Sequence, residues 1–238
     1  MKVRNILFYV MLNCLLSVNV FAKEVLRSAV SPEFPNGLHA KYLQFIANKM
    51  DMELDIAFMP FARRLKELHN GQIDMLVGML QESDDVDDII YLHPSYEKLR
   101  QTFYILTQDK NRFVTATDMH KAMVGMTNSA EYYSDLDKNE KYHVITVSTL
   151  KQKIELLLKG RIDCFMHHEE STLLLLKKLG LEDKVAVSHY QPNNYEKYYI
   201  SISKKSALYA NKNALEKMLK SAVDNNDFVK IRNEHYHL

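Results

Sequence analysis

Tryptophan is absent from the 238 residues, and cysteine occurs only twice, at Cys14 and Cys164. Cys14 sits in the leader discussed below, so the mature chain keeps one thiol and cannot form an internal disulfide. Stability must therefore come from an apolar core, which a chain of this length can supply. Six glycines and five prolines exclude long flexible linkers and fibrous repeats. Neither charge sign dominates: 31 Lys and Arg face 30 Asp and Glu, for a formal charge of +1. With no basic cluster either, a nucleic-acid partner is not expected. A Gly-rich phosphate loop and a Gly-x-Ser-x-Gly nucleophile elbow are both missing. No apolar run after the leader is long enough to span a bilayer, since Leu173-Leu174-Leu175-Leu176 stops at Lys177-Lys178.

What is present has the balance of a globular protein, 47% hydrophobic and 26% charged. The first 22 residues follow the grammar of a secretory signal peptide. Lys2 and Arg4 open it, residues 6–16 are apolar apart from Asn13, and Val20-Phe21-Ala22 offers a cleavage site. Cleavage after Ala22 leaves 216 residues, and losing Lys2 and Arg4 takes the formal charge to −1. The mature protein is expected to be exported to the periplasm.

Beyond the leader, short apolar runs alternate with amphipathic helical patterns, the rhythm of an α/β protein. Strands are expected at 24–30, 54–59 and 73–78, with helices at 38–50 and 61–68 between them. A β-α-β-α-β unit of this size implies a parallel sheet. A second unit repeats the first. Leu65-Lys66-Glu67-Leu68-His69-Asn70-Gly71-Gln72-Ile73-Asp74 matches Ile154-Glu155-Leu156-Leu157-Leu158-Lys159-Gly160-Arg161-Ile162-Asp163 in pattern: helix, glycine stop, one polar residue, then Ile-Asp. Strands at 122–127 and 143–147 and helices at 148–159 and 170–179 surround it. A strand at 198–203 and helices at 206–223 and 226–236 finish the chain. If this tail packs on the first lobe, the chain crosses between lobes twice, near 96–100 and 191–196. The expected layout is residues 23–97 in lobe one, 98–195 in lobe two, and 196–238 returning to lobe one. Two lobes joined by two strands form a hinge that can close on a small ligand.

The leader, the turn at 32–37, Pro60-Phe61-Ala62-Arg63, Gly71-Gln72-Ile73-Asp74, Gly160-Arg161-Ile162-Asp163 and Tyr198-Tyr199-Ile200-Ser201-Ile202-Ser203-Lys204-Lys205 together resemble the family 3 extracellular solute-binding proteins. These are the amino-acid-binding type of periplasmic binding protein. The resemblance covers nearly all of the mature chain. It implies the two-lobed type II periplasmic-binding fold, with two hinge crossings and a ligand held between the lobes. It also implies a monomer without a cofactor, handing its ligand to the membrane subunits of an ABC importer or to a sensor.

The resemblance implies a stacking aromatic at Phe61, or else a helix-start core residue there, and Phe34 has the same two readings. The family's clamp is not matched. Val86 stands near the place of its arginine, Ser129-Ala130 replace its Gly-Thr pair, and His168 takes the place of its acid. Arg63 is the expected anion holder instead, with Arg64 beside it as a solvated helix residue. Met79, Tyr96, Ser129, His168 and Glu169 complete the expected ligand-binding set. The run His167-His168-Glu169-Glu170 invites a metal reading, but adjacent histidines diverge on a strand, so no metal is expected. Two alternatives to a transport role remain on this scaffold. One is a dehydratase of the cyclohexadienyl or arogenate type, with Glu169 or Glu170 as general acid and Arg63 holding the substrate. The other is a ligand-free signalling partner.

Overall fold

The computed structural model describes residues 23–81, 88–128, 143–192 and 195–237. The leader, Val86, Ser129 and Ala130 lie outside the described residues. Two five-stranded sheets each carry helices on their faces. The first holds β1 (Val25–Val30), β2 (Glu53–Phe58), β3 (Met75–Leu80), β4 (Ile89–Leu99) and β10 (Glu196–Ser203), in the order β2-β1-β3-β10-β4. The second holds β5 (Gln101–Leu106), β6 (Met123–Thr127), β7 (His143–Val147), β8 (Cys164–His168) and β9 (Val185–Val187), in the order β7-β6-β8-β5-β9. The helices are α1 (Leu38–Lys49), α2 (Phe61–His69), α3 (Ala116–Met119), α4 (Leu150–Leu158), α5 (Glu169–Leu179), α6 (Lys212–Asp224) and α7 (Asp227–Tyr236).

The chain changes sheets at Arg100, between β4 and β5, and again between β9 and β10. The expected β-α-β-α-β unit is parallel, as read from the sequence, while each complete sheet is mixed. Strands β1, β2 and β3 pair in parallel, but β10 is antiparallel to both β3 and β4. In the second sheet β6 pairs in parallel with β7 and β8, while β5 runs antiparallel to β8 and β9. In each sheet the antiparallel strand is the first one after a crossing, β5 in the second sheet and β10 on the return to the first.

The repeat seen in the sequence has a physical basis. Asp74 carboxylate oxygens accept from the Arg27 N–H at 2.9 Å, from its guanidinium at 2.7 and 3.0 Å, and from the Ser206 hydroxyl at 2.8 Å. In lobe two, Asp163 accepts from the Met123 N–H at 2.8 Å and pairs with Arg112 at 2.7 Å. The Asp74 N–H donates to the Arg27 carbonyl at 2.8 Å and the Asp163 N–H to the Met123 carbonyl at 2.8 Å. Each aspartate thus clips the start of one parallel strand to the next. The preceding helix stops at Gly71 (φ 73°) or Gly160 (φ 64°), the left-handed conformation that glycine adopts without strain.

The lobe-one core packs Tyr42, Leu43 and Ile46 of α1, Leu215 and Leu219 of α6 and Phe228 of α7 on the first sheet. In lobe two, Leu150, Ile154 and Leu157 of α4 pack with Tyr104 and Phe165. Cys164 lies buried in β8, and burial pushes its thiol pKa up, so it is an inert core residue. Replacing Asp74 by alanine should cost about 3 kcal/mol, because it orphans a half-buried guanidinium and a backbone N–H together. Urea unfolding measures this, and a loss below ~1 kcal/mol would show that the clip is dispensable.

Candidate functional site

A cavity of about 180 Å³ lies between the lobes. Lobe one contributes the turn after β1, the starts of α1 and α2, the end of β4 and the tail helix α7. Lobe two contributes the end of β6, the start of α4, the end of β8 and the first turns of α5. These are largely the carboxyl ends of strands and the amino ends of helices, where α/β sheets generally bind ligands.

The wall mixes aromatic and polar residues. Phe34, Phe61, Tyr96, Tyr198 and Tyr236 all line it. His39 seats its ring against Gly78, where an added Cβ would come within 2.4 Å of the imidazole, and Gly78 itself has φ 84°. The glycine is required twice over, for space and for backbone conformation. His167 and His168, at the end of β8, complete an imidazole group. Burial, then the neighbouring Arg64 cation and His168, draws the His39 pKa down to about 3. Burial is also the largest cause at His168, which falls to about 4, and at His167, which falls well below its ordinary value with Lys153 beside it. All three rings are neutral at pH 7. Lys153, buried beneath them, donates to the Met166 carbonyl at 2.8 Å and lies 3.2 Å from His167 Nδ1. Burial draws the Lys153 pKa down to about 7, and in its ammonium form it makes that nitrogen an acceptor, with the imidazole proton on Nε2.

The acids lining the cavity are engaged. Arg232 of α7 bonds Glu97 of β4 at 3.2 Å and also bonds Glu170 of α5 closely. Tyr42 donates to the same Glu97 at 2.6 Å. Burial raises the Glu97 pKa; burial also pushes Glu170 up, but its contacts with Arg232, its own backbone N–H and the nearby His168 together lower it. Glu33 accepts the Leu150 and Lys151 N–H groups across the cleft, at 2.8 and 2.9 Å. Arg64 stands apart. It is only 7% exposed, its Nε has no hydrogen-bond partner, and its guanidinium lies 5.0 Å from the Phe61 ring centroid. Among the described residues no carboxylate pairs with it, and burial lowers its pKa to about 10.

The fold has counterparts among known proteins. The model of bacterial extracellular solute-binding proteins, family 3, matches residues 29–236. The chain belongs to this family. The probable amino-acid-binding protein YxeM of Bacillus subtilis is 22% identical over 153 residues, 63% of this chain and 58% of that protein, so the match spans little more than half of that relative. An amino acid ABC transporter substrate-binding protein of Streptococcus pneumoniae, solved with L-arginine, superposes with a TM-score of 0.75 at 15% identity, over 90% of this chain and 94% of that one. The GluR0 ligand-binding core of Nostoc punctiforme, solved with L-glutamate, gives 0.70 at 11% identity, over 89% and 98%. At these identities the superpositions establish the shared two-lobed fold.

Within this family member, the residues singled out from sequence fall in different places. Phe34, Phe61, Tyr96 and His168 line the cavity. Arg63 does not. Its side chain is 68% exposed and pairs with Glu67 at 3.4 Å. The two arginines trade the places expected of them, for a helical reason: Arg64 shares a face with Phe61 and Leu68, whereas Arg63 shares one with Glu67. Met79 is buried in the lobe-one core with Leu68 and Tyr199, because β3 turns it away from the cleft. Glu169 faces a separate depression with Lys98 and Arg100, and its neighbour Glu170 reaches the cavity. Ser129 lies outside the described residues. The residues that sequence reasoning missed are Glu33, His39, Glu97 and Arg232; Glu170, weighed only as a general acid, also lines the cavity. Among the described residues no group of three His, Cys, Asp or Glu side chains is placed to hold a metal ion.

The depressed imidazoles give stability a pH dependence. His39, His167 and His168 return towards 6.5 on unfolding, so the unfolded chain binds more protons between about pH 4 and 6.5. Their contribution is fully present above pH 6.5 and is lost as the pH falls towards about 4, at about 1.4 kcal/mol per pH unit for each proton taken up. Calorimetry should show Tm falling over that window, with a shallower fall in His168→Gln. A flat Tm from pH 6.5 to 4 would contradict the neutral assignment of these half-buried rings.

Proposed function

We propose that this protein binds a small carboxylate-bearing solute of amino-acid size between its lobes, in the periplasm. It then presents the closed form to the membrane subunits of an ABC importer, or to a sensor. The observation that carries this reading is Arg64: a buried guanidinium, lacking an ion pair among the described residues, in the wall of an interlobe cavity. A buried cation without a counter-charge is costly, and a ligand carboxylate supplies the missing partner with bidentate geometry. Phe61 lies against the guanidinium and Phe34 faces the same space, so the ligand body meets aromatic surface. The names of YxeM and of the structural neighbours, which bind amino acids, support the size class.

The dehydratase alternative asks Glu169 or Glu170 to act as a general acid. Glu169 is exposed outside the cavity, and Arg232 favours the ionised form of Glu170, the wrong state for donating a proton. Binding followed by release is therefore the activity we favour.

A thermal-shift screen of residues 23–238 against amino acids, organic acids, polyamines and short peptides tests the reading. Carboxylate-bearing compounds should raise Tm, since ligand at a hundredfold over its Kd adds ~2.7 kcal/mol. Arg64→Gln should weaken the best of them by roughly tenfold to a hundredfold, the worth of a charged hydrogen-bond pair, and Arg63→Gln should leave it unchanged. Polyamines as the sole hits, or equal effects of the two substitutions, would overturn it.

A further inference from the structure

Glu33 belongs to the turn between β1 and α1, in lobe one, yet both its carboxylate oxygens are used in lobe two. Oε2 accepts the Leu150 N–H at 2.8 Å and Oε1 the Lys151 N–H at 2.9 Å. Helix α4 does not need this contact to begin. Thr149 already caps it, accepting the Gln152 N–H at 3.1 Å, and the Gln152 side chain returns to the Ser148 N–H at 2.9 Å. What Glu33 takes are two N–H groups that a helix start leaves without intrahelical partners, at its positive end. The adjacent Phe34 packs against the lobe-two core cluster that includes Leu150. One short segment of lobe one is thus seated on lobe two by a bidentate carboxylate and an aromatic ring, and both residues also line the cavity.

We infer that Glu33 is a positioning residue for binding: an intramolecular latch whose two hydrogen bonds set how far the lobes stand apart, and so whether solute can enter or leave. The latch is separate from two further polar contacts between lobes, Arg232 with Glu170, which involves the tail helix and α5, and Gln101 with Tyr198, which joins β5 to β10. It does not depend on which solute the cavity takes.

Hydrogen exchange read by NMR, together with small-angle scattering, tests this on the mature protein without added solute. In Glu33→Ala the Leu150 and Lys151 amides should exchange at least about tenfold faster, two charged-acceptor bonds having been lost. The Ile154 and Leu157 amides should keep their protection, and the radius of gyration should rise. Glu33→Gln, which retains one acceptor oxygen, should lie between. In Glu33→Gly, added sodium formate should restore protection of the two amides by occupying the vacated helix end. Unchanged exchange at Leu150 and Lys151 would overturn the latch. Faster exchange with no change in radius of gyration would overturn it too, reducing Glu33 to a local helix cap.

Discussion

A charge taken out of water must find a partner, and the cleft of this protein is organised by that requirement. Arg232 is shared between Glu97 and Glu170, and so ties the tail helix to both the hinge strand and lobe two. Glu33 reaches across to the amino end of α4. The three cavity histidines meet the same constraint by giving up their charge. Arg64 is the exception among the described residues, and the proposed binding of a carboxylate-bearing solute rests on that exception.

The same logic runs through the scaffold. Asp74 and Asp163 occupy equivalent places in the two repeats, and each spends its carboxylate on a neighbouring strand's N–H and on an arginine. The clip fixes where β3 and β8 begin, and hence where their carboxyl ends deliver Gly78, His167 and His168 to the cleft. A chain with one thiol among the described residues and few prolines relies on such clips, together with its apolar clusters, to hold loop ends in register.

Much of this was legible in sequence because it rests on local pattern. Helical periodicity located α1, α2 and α5 to within a residue or two, and the repeated Gly-x-Ile-Asp marked the two lobes. Strands β4, β5 and β9 were not anticipated. Pro94 interrupts the run that becomes β4, and β9 is three residues long, too short to show a period. The antiparallel β10 could not be read either, since strand direction in a sheet is set by tertiary return rather than by residue type. At the site, Arg64 was readable after all: its three-residue spacing from Phe61 puts both on one helix face, a cue stronger than the Pro-aromatic-x-Arg pattern that pointed to Arg63. Glu33, Glu97 and Arg232 carried no such cue. Their partners lie 117, 55 and 62 residues away in the chain, and no local pattern encodes a contact at that range.

The most direct test of the account is a crystal structure of residues 23–238 with the tightest-binding compound from a ligand screen. The account predicts a ligand carboxylate in the interlobe cavity within hydrogen-bond distance of the Arg64 guanidinium, with its body against Phe61 and Phe34. A ligand bound in that cavity with Arg64 untouched, or bound elsewhere on the protein, would contradict it.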